Sequence, residues 1–75
     1  MDIIDFNTAQ LSIDIATEDN IMKVTHDICV RLGIQGEVTG RTYNGWPEVI
    51  FKGETGKIQR LQDDYEDGRD LVTGE

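Results

Sequence analysis

The stretch Gly36-Glu37-Val38-Thr39-Gly40-Arg41-Thr42-Tyr43-Asn44-Gly45-Trp46-Pro47-Glu48-Val49-Ile50-Phe51-Lys52 decides the fold. Asn44-Gly45 stands between two strand-like segments, and both residues tolerate the positive φ that a two-residue type I′ hairpin turn requires. Such a turn sets the register. Tyr43 then faces Trp46, Arg41 faces Glu48, Thr39 faces Ile50 and Glu37 faces Lys52. One face gains an aromatic pair and two opposite-charge pairs, each worth about 0.2–1 kcal/mol. The other face carries Val38, Gly40, Thr42, Pro47, Val49 and Phe51. A slip by one residue would exchange the two faces. Pro47 offers no N–H to a ladder, so the strand over 46–52 is expected to lie at an edge or to begin there.

Upstream, Leu11, Ile13 and Ile15 alternate with Ser12 and Asp14, the period of a half-buried strand. Residues 1–9 bring Ile3, Ile4 and Phe6 and read as an N-terminal arm or extra strand, with Asn7-Thr8 as the turn that follows. Thr17 is expected to cap a helix, with Glu18 and Asp19 at its positive end. Its inner stripe is Ile21, Val24, Ile28 and Leu32, widened by Met22 and Cys29. Lys23, Asp27 and Arg31 recur every four residues outside, spaced for two ion pairs. Gly33 supplies the left-handed stop, and Ile34 folds back on the last turn.

Downstream, a second helix is predicted over 55–67, with Ile58, Leu61 and Tyr65 turned inward and Gly68 as its end. Residues 69–75 form a short strand through Leu71 and Val72 or a frayed tail. The chain is thus expected to be one domain, α+β, in ferredoxin-like β-α-β-β-α(-β) order. Both helices would cover the Val38/Val49/Phe51 face of an antiparallel sheet, leaving the Tyr43/Trp46/Ile50 face open.

Length and charge narrow the function. A chain of 75 residues has a stability of only about 4–11 kcal/mol and little room for a deep substrate cavity. Fifteen acids against seven bases give a net charge of −8, which opposes binding to nucleic acid or anionic membranes. The charge sits at the ends: residues 1–20 hold five acids and no base, and residues 61–75 six acids and one base. No apolar run is long enough for a membrane span or a signal segment. A single cysteine excludes an internal disulfide and a multi-cysteine zinc site. A reduced, cytoplasmic setting follows as the expectation.

Catalytic patterns are missing. His26 and Cys29 lie three apart on a helix, but the thiol falls on the apolar stripe and the imidazole at its rim. Ser12, the lone serine, stands on a strand without a nucleophile elbow. Gly53-Glu54-Thr55-Gly56-Lys57 resembles the end of a phosphate-binding loop, yet Phe51 replaces its first glycine and Ile58 its hydroxyl residue. It reads better as a strand-to-helix turn. In a calcium-loop register from Asp63, Tyr65 and Gly74 occupy two ligand positions. Neither an enzyme, a cofactor nor a metal is expected.

Two surfaces suggest binding. On the open face, Tyr43, Trp46 and Ile50 are ringed by Arg41 and Glu48, with Glu37 and Lys52 beyond. Aromatic anchors of this kind are what protein interfaces favour. At the end of the second helix, Asp63, Asp64, Glu66 and Asp67 crowd the negative pole of the dipole, each at a cost of about 0.3–1 kcal/mol. They do not stabilise the helix; they keep the domain soluble or meet a basic partner.

The run from Gly36 to Gly53, above all Trp46-Pro47-Glu48-Val49-x-Phe51, followed by a short amphipathic helix, resembles small acidic proteins encoded by phages and mobile elements. Anti-CRISPR inhibitors are among them. The resemblance covers about half the chain. It implies stoichiometric binding to a larger basic protein in the host cytoplasm, with the Asp63–Asp67 carboxylates as candidates to imitate phosphates. The expected function is inhibition or regulation of a nucleic-acid-binding protein without catalysis. The alternative is a homo-oligomeric structural or virion accessory protein, a homodimer for example, using the open sheet face and the Ile3/Ile4/Phe6 arm for self-contact.

Overall fold

The computed structural model describes residues 7–75. Five elements follow in order: β1 (Thr8–Asp14), α1 (Ile21–Leu32), β2 (Gln35–Tyr43), β3 (Trp46–Glu54) and α2 (Thr55–Glu66). β3 lies in the middle of an open antiparallel sheet of order β1-β3-β2. β1 and β2 therefore run parallel to each other, joined through α1 and separated by β3. The fold is α+β, with both helices on one face of the sheet. Its core joins Ile13 and Ile15, Val24 and Ile28 of α1, Ile34, Val49 and Phe51 of β3, and Ile58 and Leu61 of α2. The described residues contain no helix long and apolar enough to cross a membrane.

The hairpin turns where the sequence predicts. Asn44 and Gly45 have φ of 54° and 83°, and Tyr43 pairs with Trp46 and Thr42 with Pro47. Beyond that point the expected pairing fails. Val38 pairs with Val49, Glu37 with Ile50 and Gln35 with Lys52, so β2 spends two more residues than β3 between the two ladders. Gly40, at φ 82°, sits within this bulge. A shift of two keeps the paired side chains on their predicted faces, because the side-chain period is two. It nevertheless removes the pairs Arg41–Glu48, Thr39–Ile50 and Glu37–Lys52. Glu48 instead stands opposite Asp14 of β1.

Pro47 begins a strand, as expected, but that strand is central rather than at an edge. Its carbonyl accepts the Ile15 N–H at 3.0 Å, past the last β1–β3 pair, so the missing donor falls at the end of the ladder.

The α1 cap is Asn20, three residues beyond Thr17: its side chain accepts the Met22 N–H at 2.9 Å. The Thr17 hydroxyl is taken by the Asp19 N–H at 3.1 Å in a turn before the helix. Asn is at least as good a cap as Thr, and it stands directly before the apolar stripe. Met22 does not widen that stripe; it is 64% exposed. Lys23 and Asp27 pair at 3.2 Å as predicted, whereas Arg31 turns away to α2. Gly33 (φ 66°) ends the helix, its N–H reaching the Cys29 carbonyl.

In α2 the third inward position is Asp64, and Tyr65 is exposed. Residues 69–75 form neither a strand nor a frayed tail. Asp70 Oδ1 accepts the N–H groups of Val72 and Thr73, closing a turn that packs Leu71 and Val72 on the core. Of the expected N-terminal arm, Thr8 and Ala9 join β1, and residues 1–6 lie outside the described residues.

Candidate binding site

Strand alternation brings Tyr43, Trp46, Glu48 and Ile50 to the sheet face opposite the helices, as predicted. Tyr43 is 61% and Trp46 36% exposed, while Glu48 and Ile50 are half-buried. The two rings close the hairpin end, so the turn that sets the register also presents the aromatic pair. Arg41 is exposed on the bulge and makes none of the ion pairs found among the described residues. It is free to meet a partner but is not held beside Glu48.

Two residues join this face that the sequence did not reveal. Asp14 faces Glu48 across the β1–β3 ladder, and the Tyr65 hydroxyl donates to Asp14 Oδ1 at 2.5 Å. Ser12, Asp14, Tyr43, Glu48 and Tyr65 line a common hollow. The bond to the Asp14 carboxylate holds the Tyr65 proton and pushes its phenol above the ordinary range, aided by burial and the Asp14 charge. Two carboxylates directly opposite one another repel. The Tyr65 hydroxyl relieves part of that repulsion. The hollow is therefore anionic, beside two aromatic rings.

The acidic end of α2 divides into two kinds of residue. Asp63, Glu66 and Asp67 are exposed, with Gln59 donating to Asp63 at 3.0 Å and Gln62 to Glu66 at 3.2 Å. Asp64 is only 1% exposed and cannot belong to a recognition patch. Its Oδ2 accepts from Arg31 Nη2 at 2.8 Å, while Arg60 Nε stands 3.5 Å and Arg69 Nη1 3.9 Å from Oδ1. Arg31 also donates to the Leu71 carbonyl at 3.0 Å, tying α1, α2 and the C-terminal turn together. Burial drives the Asp64 carboxyl up, but the Arg31 hydrogen bond and charge, then Arg60 and Arg69, outweigh it and hold it below its ordinary value.

That depression makes Asp64 an acid-sensitive contribution to stability. Its full effect is present above the unfolded aspartate value of about 3.9 and is lost as pH falls through the lower folded value. Urea unfolding across this acid range should show the wild type losing more stability than Asp64→Asn. Parallel curves would contradict the assignment.

Cys29 is half-buried against the core, its thiol pushed up by burial, and His26 is exposed. Gly53 lies against Ile34, where a Cβ would come within 2.7 Å of the Ile34 Cγ2. Gly53 is still within β3 and lets that strand approach Ile34, while the passage to α2 falls at Glu54 and Thr55. Among the described residues no group of three or more His, Cys, Asp or Glu is placed to hold a metal.

No protein-family model matches the chain. Comparison with curated proteins and with solved structures likewise finds no match. The functional reading therefore rests on the surface alone.

Proposed function

We propose that this chain is a non-enzymatic inhibitor or regulator that binds a larger protein with a basic surface. The observation that carries the reading is the exposed Tyr43–Trp46 pair beside the Asp14/Glu48 carboxylates, on the sheet face opposite both helices. Aromatic rings supply anchors that lose little conformational entropy, and the net charge of −8 steers the approach of a cationic partner. Asp63, Glu66 and Asp67 add charge at the α2 end; Asp64 is withdrawn from that role. The reading agrees with the resemblance to phage-encoded, anti-CRISPR-like inhibitors acting in a host cytoplasm. It treats the β-α-β-β-α order as a ferredoxin-like unit without a fourth strand.

Capture from a bacterial lysate at low and high salt, with mass spectrometry of the retained proteins, supplies the partner for purified binding assays. Replacing Asp63 and Asp67 by Asn should then slow association and flatten its salt dependence while leaving dissociation nearly unchanged. An unchanged association rate would remove the α2 acids from the site. Sedimentation at tens of micromolar tests the alternative: a stable homo-oligomer whose contact covers Trp46 would replace the inhibitor reading with a structural one.

A further inference from the structure

We propose, on the footing of the partner-binding reading above, that a cavity beside the open face receives an arginine side chain of the partner protein. The cavity, of about 410 Å³, lies between the loop after β1, the end of α2 and the C-terminal turn. Small-ligand sites run from roughly 300 to 1,000 Å³. Its apolar lining is Ile15, Val24, Leu71 and Val72. Ile15 and Val24 belong to the core and the other two pack on it, so these four form the floor. Asp14 and Tyr65 line both this cavity and the open-face hollow, which makes the two surfaces continuous.

Charge around the cavity is local and unbalanced. Folding brings the two acidic ends of the chain together here: Asp14 and Asp19 come from one, Asp70 from the other. The single base in the lining is Arg69, whose guanidinium already stands 3.7 Å from Asp67 and 3.9 Å from Asp64. Asp14, Asp19 and Asp70 have no ion-pair partner among the described residues. Asp14 Oδ1 takes the Tyr65 hydroxyl, and Asp70 Oδ1 the Val72 and Thr73 N–H groups. None of these donors carries a positive charge. An arginine side chain matches both parts of the cavity. Its methylene stem covers the apolar floor while its head stays among the carboxylates. The planar guanidinium donates in several directions and stacks on aromatic faces, and Tyr65, 39% exposed, offers one.

The test is an NMR titration of the full chain with N-acetyl-arginine methylamide at about 0.15 M salt, where charges more than about 8 Å apart are screened. Shifts should appear at Ile15, Tyr65, Leu71 and Val72. The citrulline analogue, of equal length but uncharged, should not bind over the same range. Asp19→Asn and Asp70→Asn should each weaken binding about threefold, the size of an exposed charge pair. Both changes are mild: the Asp19 side chain makes no hydrogen bond among those found, and an amide oxygen at position 70 still accepts the turn's N–H groups. Asp63→Asn removes the same charge outside the cavity and should leave binding unchanged. Equal weakening by Asp63→Asn, equal binding of the citrulline analogue, or shifts scattered along the exposed acids would overturn the proposal. A captured partner indifferent to Asp19→Asn would also overturn it, because the cavity would then take a free guanidinium compound. So would concentration-dependent shifts at Leu71 and Val72 without the probe, which would make Arg41 of a second copy the occupant. Trp46→Ala lies outside the cavity and decides the open-face reading separately: a partner that it leaves unweakened refutes that reading whatever the probe does.

Discussion

Asp64→Ala should cost about 3–5 kcal/mol, the range for removing one partner of a buried ion pair. A domain of this length has only about 4–11 kcal/mol in total, so the variant is expected at the margin of folding. The size comes from the guanidinium left behind. Arg31 is 18% exposed and would keep only its bond to the Leu71 carbonyl. Arg60 and Arg69 are at least half exposed and lose little, since water screens them. The double change Arg31→Met with Asp64→Leu removes both charges together and should recover most of the loss, because apolar groups can replace a buried pair at little cost. Urea unfolding of the two single variants and the double variant measures this. A loss below about 1 kcal/mol for Asp64→Ala would match an exposed pair and would return Asp64 to the surface patch.

The second large effect is expected from Gly36→Ala. The added methyl would meet Thr25 Cγ2 at 2.8 Å, Cys29 Sγ at 2.9 Å and Phe51 Cε1 at 3.1 Å. None of these is the loose end of a long side chain, and Phe51 is fully buried. Helix α1 must lift from β2 or the ring must leave its rotamer, at about 1–3 kcal/mol for overpacking. Thr25→Ser removes the nearest methyl and should restore part of the stability, giving a coupling beyond additivity. Thermal unfolding of the four-member cycle reads it. Additive losses would mean that the α1–β2 spacing is not set at Gly36.

These two positions also mark where the sequence stops being legible. Asn44-Gly45 makes a local demand on φ, and that demand alone predicts the turn and which residues share each face. Gly40 makes a similar demand, but in a strand-like run it does not announce a two-residue bulge. The expected Arg41–Glu48 and Glu37–Lys52 pairs were self-consistent within the hairpin; they gave way because β2 spends two extra residues around Gly40, which sets Glu37 against Ile50 and Gln35 against Lys52. In α2, positions 64 and 65 both follow Leu61 at helical spacing, and hydropathy favours the tyrosine. Burying the carboxylate depends on Arg31, 33 residues away, which no local pattern encodes. The aromatic part of the proposed binding face was therefore readable from alternation. Its anionic part, Asp14 with Tyr65, required the β1–β3 register and the end of α2.

Trp46 is the single tryptophan, which allows its face to be followed without substitution. Acrylamide quenching of its fluorescence, in the free protein and then saturated with the captured partner, tests the central claim that this side of the sheet recognises another protein. Efficient quenching that falls sharply in the complex is the predicted result. An indole shielded from quencher in the isolated monomer, or equally open in both states, would contradict it.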